Sequence, residues 1–85
     1  MIQMVGMLWY AIDPRQSLAK KIAAAMEYHQ KKYKRQAPMC LVNPKDAEGN
    51  DLAAIEKELG IVVRAVRIVT PGHLWLGEEK EIVND

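Results

Sequence analysis

Three side chains could supply a nucleophile, a general base or a soft metal ligand: Cys40, His29 and His73. A thiolate beside an imidazole would carry out acyl or group transfer. The spacing argues against it, because the chain has no CxxC and no HExxH. Cys40 stands among Met39, Leu41 and Val42, where a free cysteine behaves as a small hydrophobe. His29 falls on the apolar stripe of a helix and His73 closes a turn. This set reads as structural.

Hard-cation chemistry would need carboxylates. Asp13, Asp46, Glu48 and Asp51 supply them, and such a cluster could hold Mg²⁺. Ligands of open α/β sheets sit at the carboxyl ends of the strands. Those ends would gather Asp13, Arg15, Asn43, Lys45, Asp46 and Thr70 into one crevice. Yet DAEGND, residues 46 to 51, does not follow a calcium-loop pattern, and neither GxGxxG nor GxxxxGK[ST] occurs. Helix capping and a solvated loop explain these residues as well. No cofactor is implied, no catalytic constellation stands out, and the chain reads as non-enzymatic.

The stretch HQKKYKRQ, residues 29 to 36, concentrates Lys31, Lys32, Lys34 and Arg35. These cations could neutralise phosphates while Tyr28 or Tyr33 stacks on bases. They would equally complement the negative end of a helix dipole. Tyr33 lies on the apolar stripe and is expected in the core. The pI of about 7.9 is below the range above 9 typical of nucleic-acid-binding domains. Nucleic acid is therefore a possible partner, not the favoured one. An acidic neighbour would serve the cations too. Residues 1 to 45 hold eight Lys or Arg against two Asp or Glu, and residues 46 to 85 hold four against nine. A split of this kind can drive association or give two unlike faces.

The elements that must position these residues are legible in outline. MVGMLWYAI, residues 4 to 12, is nearly continuous apolar, as a strand buried on both faces should be. Asp13, Pro14 and Gln16 read as N-cap, first helical residue and capping-box partner. The helix then runs to Lys34 or Arg35, with Leu18, Ile22, Ala25, His29 and Tyr33 on one stripe. At about 1.5 Å per residue it spans roughly 30 Å and should overhang a shorter sheet. MCLV, residues 39 to 42, is a second strand, ended by Asn43-Pro44 and a polar loop. DLAAIEKELG is a second helix, capped by Asp51 or Asn50, with Leu52, Ile55 and Leu59 inward and Gly60 past its end. IVVRAVRIV, residues 61 to 69, is a third strand on which Arg64 and Arg67 point to opposite faces. Thr70-Pro71-Gly72-His73 is a type II turn into a fourth strand, HLWLG. Residues from about 78 to 85 read as a frayed acidic tail.

The expected fold is therefore a single small α/β domain over residues 1 to 85, ordered β-α-β-α-β-β. Its sheet would be mostly parallel, with an antiparallel C-terminal edge strand. Trp9 is expected in the core. Trp75 between Leu74 and Leu76 makes both faces of the last strand apolar, and an uncovered apolar edge is an association surface. Arg67, Leu74, Trp75 and Leu76 are the residues expected to form a homodimer through a C-terminal hairpin edge. A chain of 85 residues has room for one modest core, which association would support. One cysteine, no cationic leader and no apolar run near the roughly 18 residues of a membrane span point to a cytoplasmic protein. No small-molecule ligand can be named. The sequence thus favours a small interaction module that self-associates, ahead of nucleic-acid binding and a metal or ligand site.

Overall fold

The computed structural model of the chain describes residues 2–10 and 15–81, and side chains over 5–10 and 15–78. Seven elements follow in order: β1 (Ile2–Tyr10), α1 (Leu18–Tyr33), β2 (Met39–Val42), α2 (Pro44–Ala47), α3 (Leu52–Leu59), β3 (Val62–Ala65) and β4 (His73–Glu81). They form a small α/β fold with one four-stranded mixed sheet and three helices.

The helix α1 begins later than the sequence suggests. Ser17, extended at φ −68° and ψ 159°, accepts the Lys20 N–H at 3.3 Å, a strong N-cap for a helix of 16 residues. Asp13 and Pro14 lie outside the described residues. The helix ends at Tyr33, because Lys34 turns left-handed (φ 60°) and donates its N–H to the Gln30 carbonyl at 2.8 Å. Leu18, Ile22, Ala25 and His29 are buried as expected, but Tyr33 is 43% exposed. The short α2 replaces part of the expected loop. Asn43 caps it by accepting the Lys45 N–H at 2.8 Å, and Pro44 sits in its first turn. The last helix, α3, matches expectation. Asp51 accepts the Ala54 N–H at 3.1 Å and Gly60 closes it at φ 70°.

The sheet corrects the expected topology. Its order is β1-β4-β2-β3. β4 runs antiparallel to both β1 and β2, and only β2–β3 is parallel. So β4 is a central strand, not an edge, and it does not pair with β3. The Thr70–His73 turn does form, with the His73 N–H on the Thr70 carbonyl at 3.1 Å and Gly72 at φ 83°. It carries the chain past β2 into the centre of the sheet. β3 stops at Ala65, so Arg67 lies in a turn and not on the strand. β4 continues to Glu81 against Ile2, so residues 78 to 81 are strand and not a frayed tail. Residues 82–85 lie outside the described set.

Two layers follow from the connections. The β1-α1-β2 and β2-α3-β3 crossovers progress in the same direction across the sheet. With one handedness they set both helices on one face. The core confirms it. Leu18, Ile22, Ala25 and Ile55 of the helices cluster with Cys40, Val42, Val63, Leu74 and Leu76 of the sheet. Full burial of Ile22 and of Leu76 contributes roughly 1.5–3 kcal/mol each.

Lengths reverse the expected overhang. α1 spans about 24 Å, whereas the nine-residue strands β1 and β4 span about 31 Å. β2 pairs only with residues 74–77 of β4. Beyond Gly77 the β1–β4 pair continues alone, as a two-stranded ribbon.

Candidate interaction surface

Among the described residues, no helix covers the sheet face opposite α1 and α3; that face is open at β1, while Leu41 of β2 is buried at 8% exposure. Register defines its rows, because paired residues point the same way. Leu8, Trp75, Leu41 and Arg64 form one row across all four strands. Gly6, Gly77, Met39 and Val62 form the next, and Tyr10 with His73 lies on the other side. Leu8 is 60% exposed and Tyr10 64%, so β1 is not the doubly buried strand that its composition suggests. The Tyr10 and His73 rings meet edge to face at 4.9 Å.

Trp75 organises this face. A Cβ built on Gly6 would lie 2.6 Å from its Cζ2, and one on Gly77 would lie 2.8 Å from its Cη2. The indole therefore lies across the paired glycines, in space that side chains would otherwise fill. Backbone of the neighbouring strand also crowds both positions. The result is a flat aromatic plate bounded by Leu8, Leu41 and Met39. Of the four residues expected to associate, only Trp75 belongs to it. Leu74 and Leu76 are buried beneath the helices, and Arg67 is in the turn after β3. The sequence pointed to β4 but not to Leu8 and Tyr10, whose exposure depends on the sheet order.

The basic stretch is partly neutralised. Arg35 forms an ion pair with Glu78, which ties the end of α1 to the β1–β4 ribbon. Lys31 pairs with Glu27 at 3.1 Å, an exposed contact of small energetic weight. The Lys32 ammonium stands 5.4 Å over the Tyr33 ring, and Lys34 forms the left-handed cap. Beside them a cleft of about 220 Å³ opens between α1 and the ribbon, lined by His29, Tyr33, Arg35 and Glu78 among others. His29 lies with Nδ1 3.1 Å from the Arg35 carbonyl, which fixes the chain as it leaves the helix.

The strand-end crevice forms with a different membership. A cleft of about 260 Å³ joins Ser17, Lys21, Asp46, Asn50 and His73. Asp46 already accepts the Gly72 N–H at 2.8 Å. Buried Asn43 donates to the Val69 carbonyl at 2.8 Å. Both side chains hold loops together. Arg15 and Lys45 are exposed and outside this lining, and Asp13 lies outside the described residues. Among the described residues, no group of three or more His, Cys, Asp or Glu could hold a metal ion. Cys40 is fully buried, and desolvation pushes its thiol up to about 12, which keeps it protonated and unreactive.

No family model, curated protein or solved structure matches the chain. Among the described residues, no helix is long and apolar enough to cross a membrane.

Proposed function

We propose that this protein is a non-enzymatic interaction module that self-associates through the apolar sheet surface around Leu8, Tyr10 and Trp75. This replaces the hairpin edge as the contact, since β4 is central. The observation that carries the reading is the one-sided helical cover. It leaves Leu8 and Tyr10 exposed beside half-buried Trp75 on the opposite face, and such apolar surfaces in small domains serve contacts between molecules. A core of limited size gives association a second role, in stability.

Sedimentation velocity across a concentration series tests the reading. The wild-type chain is expected to move from monomer towards dimer. Leu8→Lys, at an exposed position, is expected to hold it monomeric, with the urea midpoint unchanged when both chains are compared at a concentration where the wild type is itself monomeric. A wild-type chain that stays monomeric at millimolar concentration removes the proposal.

The two other readings have less support. Nucleic-acid binding by Lys31, Lys32, Lys34 and Arg35 competes with the carboxylates that already engage two of them. A ligand or metal site at the strand ends would have to recruit Asp46 away from the Gly72 N–H.

A further inference from the structure

The two edges of the sheet differ in the features that govern strand pairing. β3 is four residues long and carries exposed Arg64. Short, charged edges resist adding another strand. β1 is nine residues long, IQMVGMLWY, with no charge and no proline. One side of it pairs with β4 at all nine positions. Among the described residues no strand pairs with the other side. A long, uncharged edge of this kind is a template for another strand.

Resting on the self-association reading, we infer that the occupant is the β1 strand of a second copy, antiparallel about a two-fold axis at Gly6. Gly6 is the midpoint of β1, and only this register uses every residue of the strand. It sets Val5 against the partner's Met7, Leu8 against the partner's Met4, and Gly6 against itself. No like charges meet, because β1 has none. The register is also even. A residue therefore faces one of the same side-chain direction, and both helical layers stay on one side of a continuous eight-stranded sheet.

Two features of the fold favour this occupant. The β1–β4 ribbon beyond Gly77 has only two strands, a marginal arrangement alone. In the dimer, residues 2–5 of β1 lie against residues 7–10 of the other copy, so the ribbon gains a third strand from the partner's four-stranded body. Gly6 also leaves the axis open. Each indole reaches its own Gly6, and facing Cβ positions lie about 4.5–5.5 Å apart. The two Trp75 plates therefore meet over the axis with no side chain between them.

Area sets the strength. A strand edge about 31 Å long and a layer about 10 Å thick bury roughly 300 Å² per copy, or about 600 Å² in all. That is about half of the smallest area, about 1,200 Å², that a stable specific interface buries. The dimer is thus of the weak, reversible class.

Cysteine trapping tests the register. Val5→Cys and Met7→Cys variants of the full chain, mixed in equal amounts under mild oxidation, are expected to form the mixed disulfide in preference to either homodimer. The facing Cβ separation approaches disulfide range only for the 5–7 pair. Buried Cys40 stays out of the reaction, and circular dichroism verifies the fold of each variant. If either single variant does not fold, pyrene excimer emission from labelled Leu8→Cys mixed with labelled Met4→Cys reads the same register. Mixed trapping or excimer formation upholds the inference. Association of the wild type without either signal overturns the edge geometry and leaves the proposed function standing, with face-to-face packing as its mode. A strict monomer overturns both, including the case in which the edge takes up only unrelated extended peptides.

Discussion

At the scale of single residues, burial decides what the reactive groups do. Cys40 is the clearest case. Its thiol is raised from 9.0 to about 12 by desolvation. Above pH 9 the unfolded chain therefore loses this proton while the folded chain keeps it, so stability falls as pH rises from about 9 to about 12. The slope from this one group approaches about 1.4 kcal/mol per pH unit. Urea unfolding of the wild type and of Cys40→Ala, compared at pH 8 and pH 10.5, checks it. The wild type is expected to lose about 2 kcal/mol more than the variant over that interval. Equal losses would mean that the thiol is not shielded. The role of Cys40 was legible from its neighbours Met39, Leu41 and Val42. Those of Asn43 and Asp46 were not, because their partners, the Val69 carbonyl and the Gly72 N–H, are distant in sequence.

At the scale of elements, local signals were readable and long-range ones were not. α3 carries its own punctuation, Asp51 before it and Gly60 after it, and both act as such. For α1 the sequence pointed to a start at Asp13, which lies outside the described residues, and the cap of the observed helix is Ser17. The Asn43-Pro44 pair read as a strand end also begins α2, since Asn caps and Pro suits the first helical turn. Sheet order lay outside such signals. β1 is apolar nearly throughout and β4 only over Leu74 to Leu76, yet the central position went to β4, which buries Leu74 and Leu76 on one face and supports Trp75 on the other. The link from β3, residues 66 to 72, is long enough to bypass a tight hairpin and let β4 reach beyond β2. The end of α1 gives a prediction at this scale. Lys34 holds φ 60°, a conformation that costs a non-glycine residue roughly 1–2 kcal/mol. Lys34→Gly is expected to raise stability by up to about 1 kcal/mol, the added freedom of the unfolded glycine offsetting part of the gain. Thermal unfolding checks it, and a lower melting temperature would mean that the lysine side chain supports the cap.

At the scale of the whole molecule, the charge split along the sequence and the apolar sheet surface are rival causes of association. Folding weakens the first. The Arg35–Glu78 pair joins the basic and acidic halves within one chain, and β4 lays part of the acidic half beside β1. The apolar surface is not consumed in this way. The two causes respond oppositely to salt. Contacts between exposed charges are screened with a Debye length of about 10 Å at 0.1 M and about 3 Å at 1 M. Apolar burial is unaffected by moderate salt and strengthened by sulfate. Sedimentation equilibrium in 50 mM and 500 mM sodium chloride is therefore expected to return the same dimer dissociation constant within about twofold, and ammonium sulfate to lower it. Weakening by tenfold or more across the chloride range would assign the contact to the charged halves, with Lys31, Lys32 and Lys34 as its cations. Constancy would leave the uncharged β1 strand and the Trp75 plate as the joining surface.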